Sequence, residues 1–402
     1  MDTFNIIFQV IEYILILYFG FASIYVFIFS FSGLFKPRDK KELSNKTRKF
    51  AVLIPGYKED SVILEVASKA LNQEYSKANY DVVIIADSFE KRTIQALKKM
   101  PIKLVEVSFE KSTKSKALNK AMETIGDAYD VALILDADNI MQPDFITKVN
   151  SAFNKGYSVV QGHRVAKNLN TPFAILDAIS EEVNNHIFRK GHRVLGLSSA
   201  LIGSGMAFNY AFFKETMAKI NAIGGFDKEL ELKLLKNKVK IEYLNDALVY
   251  DEKVQKSEVF SNQRKRWLSA QFIYFRRYFL SGLKELFLKG NLDFFDKVYQ
   301  MVSPPRILLL GIVTIITAIY LVVYFMIDAT LLVIEPWLWY TSLGFTVGAF
   351  FMAIPTRFYC TKTLKAILTL PKAFALMFLS LFKLKGANKK FIHTQHGTVE
   401  SH

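Results

Sequence analysis

A single cysteine, Cys360, in a chain of 402 residues leaves no partner for an intrachain disulfide and no thiolate cluster for a metal. Histidine is sparse as well, and the 6 present are scattered, with no HExxH pair. Acidic residues number 37 against 52 basic ones, a net charge of +15. Such an excess serves anionic lipid head groups, a nucleotide phosphate or nucleic acid. Much of the Lys and Arg flanks apolar stretches, and no recognition motif accompanies it, so no nucleic-acid partner is expected. Basic residues are missing from positions 1 to 12, where the leading segment of a cleaved signal peptide would carry them.

What is abundant is apolar surface, 51% of the chain, with a positive mean hydropathy. Tyr13 to Phe35 carries no charge and is long enough to cross a bilayer core of roughly 30 Å as a helix. The basic run Arg38, Lys40, Lys41, followed by Lys46, Arg48 and Lys49, predicts a cytosolic position for what comes next. Ile307 to Ile327 and Pro336 to Thr356 are further uncharged stretches and predict a spanning hairpin, which returns the chain to the side of the basic tail Lys383, Lys385, Lys389, Lys390. Leu364 to Phe382 contains Lys365, Pro371 and Lys372 and predicts an interfacial helix instead. The expected division is a spanning helix over 1–36, a cytosolic domain over 37–255, interfacial helices over 256–303, the hairpin over 304–358, and an interfacial helix with basic tail over 359–402. The location expected is the cell membrane, crossed several times.

Between residues 50 and 250 short apolar runs alternate with helical spacing. Phe50–Ile54, Val82–Ala86 and Val131–Leu135 have the continuous apolar character of strands buried on both faces, with helices predicted over Lys58–Asn72 and Ser112–Thr124. The fold class expected is therefore α/β, Rossmann-like, joined to a helical membrane region, with ligands at the carboxyl ends of the strands. There the sequence offers Pro55, Tyr57 and Glu59, then Asp87, then the pair Asp136 and Asp138. Asp87 alone is equally readable as a helix cap. Two carboxylates two residues apart at a strand end are costly to bury unless a shared cation holds them, which suits Mg²⁺ or Mn²⁺ with diphosphate oxygens completing the shell. Gln161-Gly162-His163-Arg164 follows another apolar run; a lining role is open, while a lone His after a strand is more often structural. His393 and His396 in the tail do not by themselves make a metal site.

In order and spacing, Asp87, Lys116-Ala117-Leu118-Asn119, Asp136-Ala137-Asp138 and Gln263-Arg264-Lys265-Arg266-Trp267 resemble the membrane-bound family 2 glycosyltransferases of GT-A fold. That branch holds the cellulose, hyaluronan and poly-N-acetylglucosamine synthases and ceramide glucosyltransferase. The resemblance covers roughly residues 50 to 385, and its most specific element is Gln263 to Trp267, which matches Q(Q/R)xRW at every fixed position. It implies a nucleotide-sugar donor, by family habit a UDP-sugar, contacted by Pro55, Tyr57, Glu59, Asp87, Lys116, Asp136, Asp138, Gln263, Arg266 and Trp267. It also implies Asp136 and Asp138 as metal ligands, and an acceptor loop at Gly203, Ser204 and Gly205 with Trp267 stacking on the arriving sugar. The family's Thr-Glu-Asp triplet is absent. Aligning the alternating leucines puts Glu229 where the inverting base stands, with Asp227 the second candidate and Glu231 a solvated helix residue. A processive polysaccharide synthase is the first expectation and single glycosylation of a lipid the second. So few spans enclose a polymer channel poorly unless the chain forms a homo-oligomer or interfacial helices line the path. The departure around Lys228 and Glu229 also leaves open a membrane scaffold that has lost catalysis.

Overall fold

The computed structural model describes residues 3–382, apart from 221, 223, 224 and 256. The tail lysines and the His393–His396 segment lie outside the described residues. Eight strands form one sheet: β1 (Phe50–Tyr57), β2 (Tyr80–Asp87), β3 (Lys103–Val107), β4 (Val131–Ile134), β5 (Ile140–Met141), β6 (Val159–Ala166), β7 (Met206–Asn209) and β8 (Glu242–Asp251). Their order is β3-β2-β1-β4-β7-β6-β8-β5.

The first half of that order is parallel, with β1 central between β2 and β4, as the continuous apolar runs predict. The second half is not a continuation of the doubly wound pattern. Strand β7 runs antiparallel to both β4 and β6, while β6 and β8 are parallel with a register shift between Gly162 and His163. The predicted helices are present but shorter, Ile63–Ala70 and Lys114–Ile125. One apolar core covers each sheet face. The first is built around Leu53, Ile85, Ile134 and Phe208, the second around Val52, Ile84, Leu133 and Phe145.

A third core joins the sheet domain to the long apolar helices. The N-terminal helical segment, Thr3–Leu15 and Phe21–Ser32 with a π-helical turn over Ile16–Gly20, brings Phe19, Ala22, Val26 and Phe29 into one apolar cluster with Ile175, Ile179 and Val183 of the helix Pro172–Asn184. Trp339 of the helix Pro336–Ala353 is buried in the same cluster. At about 1.5–3 kcal/mol per fully buried large side chain, this seam anchors the membrane-type helices firmly to the sheet domain.

Among the described residues two helices are long and apolar enough to cross a membrane, Gln9–Ser32 and Arg306–Ile327. The expected hairpin is thus only half supported: Pro336–Ala353 is helical and packs beside Arg306–Val322, but Trp337, Trp339, Tyr340 and several small polar residues dilute its apolar character. The stretch expected to be interfacial forms a bent helix pair, Thr361–Ile367 and Leu370–Leu381, meeting at 41°, the geometry of a broken span or of a re-entrant loop. Pro371 at the start of the second helix explains the break, since its ring cannot continue the preceding turn.

Candidate active site

Strands β1, β2 and β4 end side by side, and their last residues open into one cavity of about 2170 Å³. Pro55, Tyr57, Glu59, Asp87, Asp136 and Asp138 all line it. The turns leaving β1 and β2 pass through Lys58 (φ 55°) and Ser88 (φ 61°), left-handed conformations that side chains other than glycine adopt at a cost. The Lys58 amide donates to the carbonyl of Asp87 at 3.1 Å, locking the two strand ends together, and Ser88 Oγ donates to Asp87 Oδ1 at 3.0 Å. Asp87 is buried, so its carboxylate is held at the floor of the cavity.

The segment after β4 is held by a chain of buried polar contacts. The Asp136 amide donates to Ser204 Oγ at 2.9 Å, and the Ser204 hydroxyl donates in turn to Asn139 Oδ1. Asn139 Nδ2 donates to Asp138 Oδ1 at 3.2 Å and to Asp251 Oδ1 at 3.0 Å. Gln161 holds the far side of the loop, donating to the Ser204 carbonyl at 2.9 Å and accepting from the Ile202 amide at 3.0 Å. Gly203 lines the cavity; Ser204 is fully buried behind it, and Gly205 closes onto the Ile134 carbonyl at 2.8 Å. Of the three loop residues expected to meet an acceptor, only Gly203 is therefore at the cavity wall, and the other two brace the strand end.

Lys116, expected among the pocket residues, points away and donates to the Lys111 carbonyl at 3.1 Å. Lys114 takes its place. Its Nζ pairs with Asp136 Oδ1 and donates to the Gly203 carbonyl at 2.7 Å. The two lysines are two residues apart, which puts them on opposite faces of the helix, and Thr113, whose Oγ1 accepts from the Lys116 amide at 3.3 Å, sets where that helix begins. That cap was the signal by which Lys114 could have been found.

Three acids on the helix Phe226–Lys236 meet three environments. Asp227 lines the cavity beside Gly203, where a Cβ on that glycine would lie 3.8 Å from the Asp227 carboxyl carbon. Glu229 is buried on another face, paired with Lys233 at 3.0 Å, and its Oε2 has no hydrogen-bond partner among the described residues. Glu231 is not solvated: it is 1% exposed, accepts from the Leu201 amide at 3.2 Å and pairs with Lys297 at 2.6 Å. Burial pulls the Lys297 ammonium down to about 8 even with Glu231 beside it.

Gln263, Arg266 and Trp267 line the cavity from the helix Ser257–Lys289. Between them Arg264 pairs with Asp177 at 2.8 Å and lies 4.6 Å over the Trp267 ring, which is 42% exposed. Behind these residues runs a buried charge network. Arg164 meets Glu181 at 2.8 Å and Asp251 at 3.6 Å, Arg189 meets Glu181 at 3.3 Å, and Lys253 meets Asp251 at 2.7 Å. Burial pushes the Glu181 carboxyl up, but Arg164, Lys253 and Arg189 outweigh it and hold the group well below the usual carboxylate range. Arg164 lines the cavity, whereas His163 has the structural role, bonded to the Asn245 carbonyl at 2.8 Å and to Glu182 at 3.0 Å.

The same cavity is lined by Arg306 and, on the long apolar helices, by Leu310, Ile315, Val347, Phe350, Phe374 and Met377. Among the described residues no group of three or more His, Cys, Asp or Glu side chains is arranged to hold a metal ion by itself. Asp136 and Asp138 offer two oxygen donors at one edge, a set that fits a hard divalent cation completing its shell from a diphosphate and water.

The family model described as "Glycosyltransferase like family 2" matches residues 47–270, more than half of the chain. Among characterised proteins, the dolichol-phosphate mannosyltransferase of Pyrococcus furiosus is 28% identical over 123 residues, 30% of this chain and 34% of that protein. The match thus spans about a third of the relative's length. Among solved structures, the mannosyltransferase PcManGT from Pyrobaculum calidifontis in complex with GDP-Man and Mn²⁺ aligns with a TM-score of 0.49 at 14% identity, covering 84% of this chain and 96% of that one. TarS of S. aureus aligns with a TM-score of 0.39 at 16% identity, over 85% of this chain and 55% of that one.

Proposed function

Since the chain belongs to glycosyltransferase family 2 and is a glycosyltransferase, we propose that it moves a sugar, with inversion, from a nucleotide-diphosphate sugar to a single lipid-borne acceptor at a membrane surface. The observation that carries this reading is the cavity itself, which begins at the strand-end carboxylates and runs without interruption into an apolar groove between the membrane-type helices. A lipid acceptor has matching polarity along its length. With two candidate spans, or three, few helices are available to enclose a polymer, so single addition takes precedence over processive synthesis. The name of the P. furiosus relative, which pairs a sugar with a lipid phosphate, agrees with that order.

In this reading the donor base and ribose lie over β1 and β2 against Tyr57 and Asp87, and the diphosphate lies at the end of β4. Asp136 and Asp138 would hold a Mg²⁺ or Mn²⁺, which when bound stabilises charge on the departing nucleoside diphosphate. Lys114 and Arg266 add fixed positive charge at that end, with the planar Arg fork suited to phosphate oxygens. Asp227, rather than Glu229, takes the proton from the attacking acceptor hydroxyl, because its carboxylate is the one at the cavity wall. Gln263 and Trp267 close over the acceptor sugar, the second by stacking. The basic residues between the first candidate span and β1 support a cytosolic catalytic domain.

The test is to reconstitute the full chain in lipid with Mg²⁺ or Mn²⁺, offer radiolabelled UDP- and GDP-sugars with a membrane lipid extract, and partition the product. Label confined to an organic-extractable species of one added sugar is the expected result. Label in a long water-soluble or insoluble polymer would return the processive reading, and no turnover with any donor would favour the inactive scaffold.

A further inference from the structure

Arg306 lines the cavity at the start of the helix Arg306–Val322, whose next lining residues include Ile307, Leu310 and Ile315. Its guanidinium donates to Asn184 Oδ1 and lies 5.2 Å over the Phe188 ring, but among the described residues it meets no carboxylate within ion-pair distance. Two cations, Arg264 and Arg189, and one anion, Glu181, line the same cavity and bear on it. Glu181 is already shared between Arg164, Arg189 and Lys253, and Arg264 is committed to Asp177. A partly buried guanidinium among like charges costs free energy that an arriving anion would return.

We propose that Arg306, flanked by Arg264 and Arg189, binds a phosphate or diphosphate group that joins the lipid chain of the acceptor to its sugar. The inference rests on the lipid-acceptor reading above and narrows it. The lipid tail enters the apolar stretch between the helices, the phosphate is held at Arg306, and the sugar reaches forward to present its hydroxyl to Asp227. The phosphate is thus a handle that fixes the acceptor's depth in the cavity, and the attacking oxygen belongs to the sugar. The guanidinium is suited to this, since its fork can give two parallel hydrogen bonds to phosphate oxygens while the Phe188 face supports it from behind.

The experiment uses the full chain in neutral detergent and measures equilibrium binding of radiolabelled dodecyl phosphate and dodecanol. The wild type is expected to bind the phosphate more tightly by roughly 10- to 100-fold, the range for hydrogen bonds to a charged group. Arg306→Gln should erase that preference and Arg306→Lys should keep part of it, with labelled nucleotide binding unchanged in both variants as the check on folding. Equal binding of dodecanol, or an undiminished preference in Arg306→Gln, would overturn the role of Arg306 while leaving the lipid acceptor in place. Displacement of dodecyl phosphate by an equal concentration of inorganic phosphate would mark a free-phosphate site, and by phosphatidylglycerol a bulk-lipid site; either overturns the proposal. Binding of nucleotide with neither amphiphile would bring down the lipid-acceptor reading itself.

Discussion

Carboxylates four residues apart on one helix can have opposite fates, and the helix Phe226–Lys236 separates them by what each one faces. Asp227 faces the cavity, while Glu229 and Glu231 are spent on Lys233 and Lys297. If Asp227 is the base, Asp227→Asn should lower kcat by about 10²–10⁴-fold with nucleotide affinity retained, the usual range for losing general-base help. Glu229→Gln should retain most of kcat and instead lower stability by about 1–3 kcal/mol, because Lys233 loses its charge partner in a buried setting. Steady-state kinetics and thermal unfolding of the two variants side by side decide it, and a dead, fully stable Glu229→Gln would reverse the assignment. The sequence could not make this choice, because Asp227 and Glu229 both lie in the first turn of the helix that starts at Phe226, and only what packs against each side chain separates them. The same holds for Lys114 and Lys116, whose difference is one of helix phase, and for Ser204, whose hydroxyl works behind the loop it was expected to present. By contrast Asp87, Asp136 and Asp138 were legible, since a strand end is set by the local apolar run alone.

At the scale of elements, the parallel half of the sheet was readable because strands buried on both faces are continuous apolar runs, whereas the antiparallel insertion of β7 between β4 and β6 is a non-local pairing that no local pattern encodes. Equally non-local is the contact between the N-terminal apolar helix and the π-helical turn Asn185–Gly191. There Ser32 Oγ donates to the Gly191 carbonyl at 3.0 Å, and a Cβ on Gly191 would come within 2.1 Å of the Phe29 carbonyl oxygen. No side-chain rotation relieves a clash with backbone, so Gly191→Ala has to push the span away from the sheet domain. Overpacking of this kind costs about 1–3 kcal/mol. The expected outcome is a lower unfolding midpoint of the detergent-solubilised protein with unaltered nucleotide binding. An unchanged midpoint would mean that the two helices slide past each other at little cost, and the seam would then not be a rigid anchor.

Across the whole molecule, one cavity reaching from the strand ends to the bent helix pair makes the single cysteine a native reporter. Cys360 is exposed, lines the cavity, and precedes the helix Thr361–Ile367 of the bent pair. Hydrogen bonds from Thr363 hold its thiol below the ordinary range, which raises the thiolate fraction available to a maleimide at neutral pH. If lipid tails occupy this end, dodecyl phosphate should slow the labelling of Cys360 in proportion to its occupancy, while a nucleoside diphosphate with Mn²⁺, bound at the strand ends, should leave the rate unchanged. Mass spectrometry of the intact chain reads the result without any engineered residue. Protection by nucleotide alone would show that the donor end controls access to the far end through a change in shape. Protection by neither would separate the two ends, and the continuity on which the lipid acceptor rests would fail.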